Sequence, residues 1–235
     1  MTLARRYEIT RLEAFSDAVF AFALTLLVVS LEAPRTYAEL MQLVRGFLPF
    51  AACFALLIYI WYEHSAFFSK YGLHDRTTTI LNAVLLFVVL FYVYPLKYLF
   101  TLTFAIVLPQ LRHEGAPQTL REMTNLFMIY GLGFVAVFGV LALLYYWAWR
   151  RRTDIDLTPL EARDARGEIG THLVSVLIGL ISIGWAELAP GNLGTLAGFA
   201  YFLMGPAHWV YGESNGRRRQ AFLRLPQSPP KPDAA

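Results

Sequence analysis

Asp17 stands in the string RLEAFSDAVFAFALTLLVVSLEAP, at the start of a long apolar run, with Arg11, Phe15 and Ser16 just ahead of it. A carboxylate within a membrane span is costly, so it faces a protein partner or a water-filled path, where ion and substrate routes run. Ser16 and Asp17 also have a plainer use near a helix start, capping free amides and complementing the positive end of the dipole. Further along come Trp61 and His64 as WxxH, Glu63 between them, Asn82, Lys97, His172 and His208. Histidines in apolar runs can ligate haem iron, but here they stand one to a run without a pairing pattern, which argues for structural roles. Asp17, Glu63 and Lys97 are the ionisable candidates for an ion-coupled transporter. Neither GxSxG nor HExxH occurs, and no matched pair of Gly/Pro-broken runs suggests inverted repeats. The chain therefore does not read as an enzyme. Cys53 is the only cysteine, so there is no intrachain disulfide and no cysteine-based metal site.

These residues need elements to hold them. Of 235 residues, 57% are hydrophobic and 16% charged, against about 25% charged in soluble domains. The excess is gathered in stretches of roughly twenty residues, the length a helix needs to cross a bilayer core of about 30 Å. Six spans are expected, at Ala14–Leu31, Gly46–Phe68, Ile80–Val107, Asn125–Trp149, Ile169–Trp185 and Leu193–Tyr211. Backbone polar groups in lipid must be satisfied within the segment, so the spans are helices and the fold class is all-α, a polytopic membrane protein. Pro95 and Lys97 mark a kink or the membrane edge in the third span. The mixed-charge segment 150–168 reads as solvated, with a short helix after Thr158. Residues 1–212 form one transmembrane domain. The tail 213–235, basic and then Pro-rich, reads as disordered. Small-residue pairs, Gly194 with Gly198 and Ser175 with Gly179, suggest close helix contacts.

Orientation follows from the cations. Fifteen Lys and Arg fall on the side of both termini and the second and fourth loops, and four, Arg35, Arg45, Arg112 and Arg121, fall on the other. By the positive-inside rule both termini are cytoplasmic, and the protein is a multi-pass component of the cell membrane. The same count accounts for the net charge of +3 as a topology signal, not as a nucleic-acid surface. The lipid bilayer is the partner that composition implies.

On the first span, Phe22, Thr25, Leu26 and Val29 share one helical stripe, while Asp17 aligns with Phe20, Ala21 and Leu24. The string resembles the RxxxFSD signature of the endolysosomal potassium channel family, the transmembrane protein 175 family, through Arg11, Phe15, Ser16 and Asp17. Trp61 and His64 as WxxH, then Asn82, follow in the order that family shows, so the resemblance covers the first hundred residues. It implies a six-helix, bacterial-type subunit that assembles as a homotetramer, with four first helices lining a central pathway for potassium, the transient permeant ion. Carried over, Phe22, Leu26 and Val29 would form the constriction, with Thr25 adding a hydroxyl layer. Arg11, Phe15, Ser16, Asp17, Trp61, His64 and Asn82 would form a bracing network. Family members usually carry Ile or Leu where this chain has Phe22. The filter string TVGYG is absent, so selectivity would not rest on rings of backbone carbonyls. The resemblance implies a leak channel with no bound cofactor and no structural metal.

Overall fold

The computed structural model describes residues 10–29, 33–107, 117, 119–189 and 191–224. Among them every regular element is helical: α1 (Arg11–Val29), α2 (Tyr37–Arg45), α3 (Phe47–Tyr71), α4 (Arg76–Val107), α5 (Leu120–Arg150), α6 (Pro159–Leu188), a 3-10 segment (Gly191–Leu203) and α7 (Met204–Leu223). Helices α1, α3, α4, α5 and α6 are long and apolar enough to cross a bilayer.

The helix ends follow local chemistry. Thr119 and Glu122 close a capping box on α5, and Thr158 and Glu161 close another on α6, with Pro159 in the first turn, where its missing N–H costs nothing. That box starts a single helix that runs on to Leu188, so the short helix expected after Thr158 is the first turns of α6. Helix α3 ends where Gly72 turns left-handed (φ 56°) and its N–H donates to the Phe68 carbonyl at 2.9 Å. Helix α2 was not expected. Thr36 caps it by accepting from the Glu39 N–H, and none of its residues is buried.

The sixth expected span is built in two geometries. The 3-10 segment carries the chain to Leu203 and α7 continues it. At about 2.0 Å and about 1.5 Å per residue respectively, the stretch Leu193–Tyr211 reaches roughly 34 Å, enough for a bilayer core. Small residues press this segment onto its neighbours: a Cβ on Gly194 would lie 3.1 Å from the Ala186 carbonyl oxygen, and one on Gly198 would lie 3.0 Å from Phe127. The expected Gly194/Gly198 pair thus serves two partners, α6 and α5, because residues four apart in a 3-10 helix point about 120° apart. Helix α7 runs to Leu223, carrying helix into the stretch expected to be disordered, and residues 225–235 lie outside the described residues.

Helix α1 packs on α3 and α4, α5 bridges α4 to α6, and the 3-10 segment and α7 pack on α6. The most extensive crossing is α5 on α6. There a Cβ on Gly131 would meet Ile183 at 2.4 Å, and one on Gly179 would meet Val135 at 2.7 Å. Of the expected Ser175/Gly179 pair, Gly179 makes this crossing, while the Ser175 hydroxyl is 2.9 Å from His208 Nε2. Lipid tails are as apolar as leucine, so close packing and interhelical hydrogen bonds hold such helices together, not hydrophobic burial.

At one end of the bundle the α3–α4 loop meets the end of α5. The Asp75 carboxylate accepts from the Trp147 indole N–H at 3.1 and 3.2 Å and lies 3.6 Å from the Arg151 guanidinium. At the same end, Arg163 of α6 donates to Asn215 of α7 and Arg219 donates to Asp164. These contacts gather the second loop, the fourth loop and the end of α7, three of the stretches whose Lys and Arg were counted together, on one side.

Candidate functional site

Helix α1 divides cleanly between two faces. Ser16, Phe20, Ala23 and Leu27, spaced four, three and four, are buried against the subunit. On the far side Phe15, Ala18, Phe22, Thr25 and Val29 form a second stripe, with Phe15 62%, Phe22 56% and Val29 73% exposed. Leu26 lies at the margin, partly buried. The subunit therefore spends one face of α1 on its own packing and presents the other outward.

Three helices meet at the buried face. The Ser16 hydroxyl donates to the Leu12 carbonyl at 2.8 Å, the Asn82 amide donates to Ser16 Oγ at 2.8 Å, and Asn82 Oδ1 lies 2.7 Å from His64 Nε2. The Leu12 carbonyl can only accept, which fixes the direction of the whole chain. Ser16 must then receive the amide N–H, leaving Asn82 Oδ1 to accept from a protonated Nε2 of His64. Ser16, His64 and Asn82 are all buried, and the imidazole sits 4.7 Å from the Phe68 ring and 5.4 Å from the Phe20 ring. Beside this chain, the Trp61 indole N–H donates to Asp17 at 2.8 Å, tying α3 to α1 a second time.

The structure brings together five of the residues singled out in the sequence: Ser16, Asp17, Trp61, His64 and Asn82. Two expected members of the network stand apart. Phe15 lies on the outward stripe seven residues before Phe22, because the helical repeat returns it to that face. Arg11 is exposed at the start of α1 and makes no hydrogen bond or ion pair among the described residues. The Thr25 hydroxyl donates back to the Phe22 carbonyl at 2.7 Å, which leaves the lone pairs of Oγ1 free on the outward face.

The other titratable side chains lie deeper in the subunit. His172 is buried with Nε2 3.7 Å from Glu63, and Lys97 is partly buried beyond Pro95 in α4. No group of three or more metal-ligating side chains occurs among the described residues. Sequence reasoning missed the Asp75, Trp147 and Arg151 knot. Its signal was the run Asp75 to Thr78 at a helix start, where Asp75 accepts from the Thr77 N–H and the Thr78 hydroxyl. Those bonds, with the Trp147 indole and the Arg151 charge, outweigh partial burial and hold the Asp75 carboxyl below its usual range.

Comparison with known proteins bears on the same helices. The family described as endosomal/lysosomal potassium channel TMEM175 matches residues 11–92, which span α1, α2, α3 and the first half of α4. A curated protein of Marivirga tractuosa, described as a potassium channel, is 40% identical over 92% of this chain and 91% of its own length. The chain belongs to the TMEM175 family. A second relative, a potassium channel of Chamaesiphon minutus, is 34% identical over 37% of this chain and 47% of its own length. Among solved structures, the crystal structure of a threonine-to-alanine variant of the potassium channel MtTMEM175, bound to a nanobody fusion, superposes with a TM-score of 0.81. It is 37% identical and covers 92% of this chain and 97% of that one. The protein is a multi-pass membrane protein, and its family is one of channels, not of enzymes.

Proposed function

We propose that this chain conducts potassium passively down its electrochemical gradient, as a homotetramer whose four α1 helices line a shared axis. The observation that carries the reading is the division of α1, with Ser16, Phe20, Ala23 and Leu27 spent inside the subunit and Phe22, Thr25 and Val29 presented outward. One subunit offers one copy of that stripe, and a closed constriction needs several copies around an axis. The relatives described as potassium channels support the permeant ion.

In this arrangement Phe22, Leu26 and Val29 form an apolar constriction. A narrow apolar ring favours the ion that sheds its water more cheaply, which is potassium over sodium, and it can also gate by dewetting. Thr25 Oγ1, its proton committed to the Phe22 carbonyl, offers lone pairs to a passing cation. Ser16, Asn82, His64, Asp17 and Trp61 set the rotation of α1 about its own axis, so that the right face meets the pore. Both termini lie on the cytoplasmic side of the cell membrane, which supplies the excess of Lys and Arg there with its usual compartment. The resting behaviour is that of a leak.

The test is purified protein in planar bilayers under a potassium/sodium gradient. The reversal potential should lie toward the potassium equilibrium value. Phe22→Ala or Leu26→Ala should raise current and relax the preference, and Asp17→Ala should lower assembly. Unchanged conduction in both pore variants would count against the assignment.

A further inference from the structure

On the side of the subunit away from α1, helices α5 and α6 leave an apolar groove of about 510 Å³. On α5 its floor follows Gly139, Leu143 and Tyr146, and the same stripe reaches Arg150 four residues on. On α6 it follows Leu173 and Val176, and the same stripe leads back to Arg166. The groove thus ends at two guanidiniums at the arginine-rich end of the bundle. We propose that it binds one anionic glycerophospholipid from that leaflet, with the phosphate between Arg150 and Arg166 and an acyl chain lying along the groove.

Arg150 and Arg166 are the two cations that continue the walls of the groove; Arg152, which also forms no ion pair among the described residues, lies over the Trp149 ring and donates to the Trp149 carbonyl. Arg151 pairs with Asp75 and Asp154, Arg163 with Asp164, Arg217 with Glu213 and Arg219 with Asp164. Arg150 and Arg166 are exposed and form no ion pair among the described residues. The Arg166 guanidinium lies 4.8 Å from the centre of the Trp149 ring, which fixes its position without neutralising it. Aromatic rings with arginines at the membrane edge mark the headgroup zone, and basic pockets between spans take anionic headgroups.

Depth comes from Gly139. A Cβ there would meet only Val176, at 4.0 Å, so nothing in the subunit fills the space above it. An apolar trough that opens onto two uncompensated cations fits an amphiphile with one anionic end and a long hydrocarbon remainder. The proposal rests on the axial placement of α1 only for which faces of the subunit meet lipid.

The test is native mass spectrometry of the full chain with phosphatidylglycerol or phosphatidylcholine of identical acyl chains. The wild type should retain phosphatidylglycerol preferentially. Arg150→Gln and Arg166→Gln should each weaken that binding about fivefold, and the pair about thirtyfold, while phosphatidylcholine is unaffected. Gly139→Leu, which fills the groove without touching backbone, should reduce occupancy by both lipids. Equal binding of the two lipids by the wild type, or an undiminished preference in the double arginine variant, overturns the proposal. Dissociation of the oligomer by Gly139→Leu also overturns it, since the groove would then be a contact between copies. Lipid counts do not depend on conduction, so a silent protein that binds phosphatidylglycerol would refute the channel reading and still support this one.

Discussion

Replacing Asn82 with alanine removes both hydrogen bonds that join α1 to α3 through α4, at 2.8 Å to Ser16 and 2.7 Å to His64. Interhelical hydrogen bonds in membrane proteins contribute about 0.6 kcal/mol on average and up to about 1.7. Two of them at a buried site give a loss of about 1–3 kcal/mol. Most of it falls on His64, whose Nε2–H is left unpaired, because Ser16 keeps its own bond to the Leu12 carbonyl. The assay is reversible unfolding of the purified protein in mixed micelles of rising denaturing detergent, followed by tryptophan fluorescence. A cycle of Ser16→Ala and Asn82→Ala should show a coupling near the single-bond range, and His64→Phe with Asn82→Leu should recover much of the loss by leaving no unpaired donor. If Asn82→Ala is as stable as the wild type, or the cycle is additive within about 0.3 kcal/mol, the chain of bonds does not hold α1.

Gly179→Val should destabilise by about 1–3 kcal/mol in the same assay, since its Cβ would meet Val135 at 2.7 Å and Phe134 at 3.1 Å. Phe22→Ala should leave unfolding within about 0.5 kcal/mol of wild type in the monomeric subunit, because the ring is more than half exposed there, whatever it does to current. Asp75 supplies a pH dependence. Its carboxyl is held below the usual range, so its contribution is fully present above the unfolded carboxylate value of about 3.9 and is lost as pH falls through the folded value. An acid titration of unfolding should show that loss, and Asp75→Asn should remove it.

What the sequence disclosed and what it hid divide along physical lines. Asp17 was legible because a carboxylate in an apolar run must find a partner, whereas Ser16, Trp61, His64 and Asn82 were gathered with it by the family resemblance; the structure joins these five in two short chains of hydrogen bonds. Phe15 was placed with that network on motif grounds, although the helical repeat alone puts it with Phe22. The sixth span was legible as an apolar stretch but not as a 3-10 segment. That geometry depends on how closely Gly194 and Gly198 approach α6 and α5, which no local pattern encodes. Helix α2 escaped because its Thr36 cap lies between two spans, where mixed polarity reads as a loop. The start of α6 was visible in its Thr158 and Glu161 box, but continuity across Gly167 and Gly170 comes from tertiary contact: the Gly167 carbonyl accepts from Tyr211 of α7 at 3.1 Å.

The placement of the outward face of α1 on the conduction path is tested most directly by thiol accessibility. Cys53 and Ala23 are fully buried, so a Cys53→Ser background is silent, and Thr25→Cys and Val29→Cys on the outward face can be compared with Ala23→Cys on the inward face by current during exposure to a water-soluble thiol reagent. Block at positions 25 and 29 with no effect at 23 is the predicted result. Block at 23 with positions 25 and 29 untouched would contradict it.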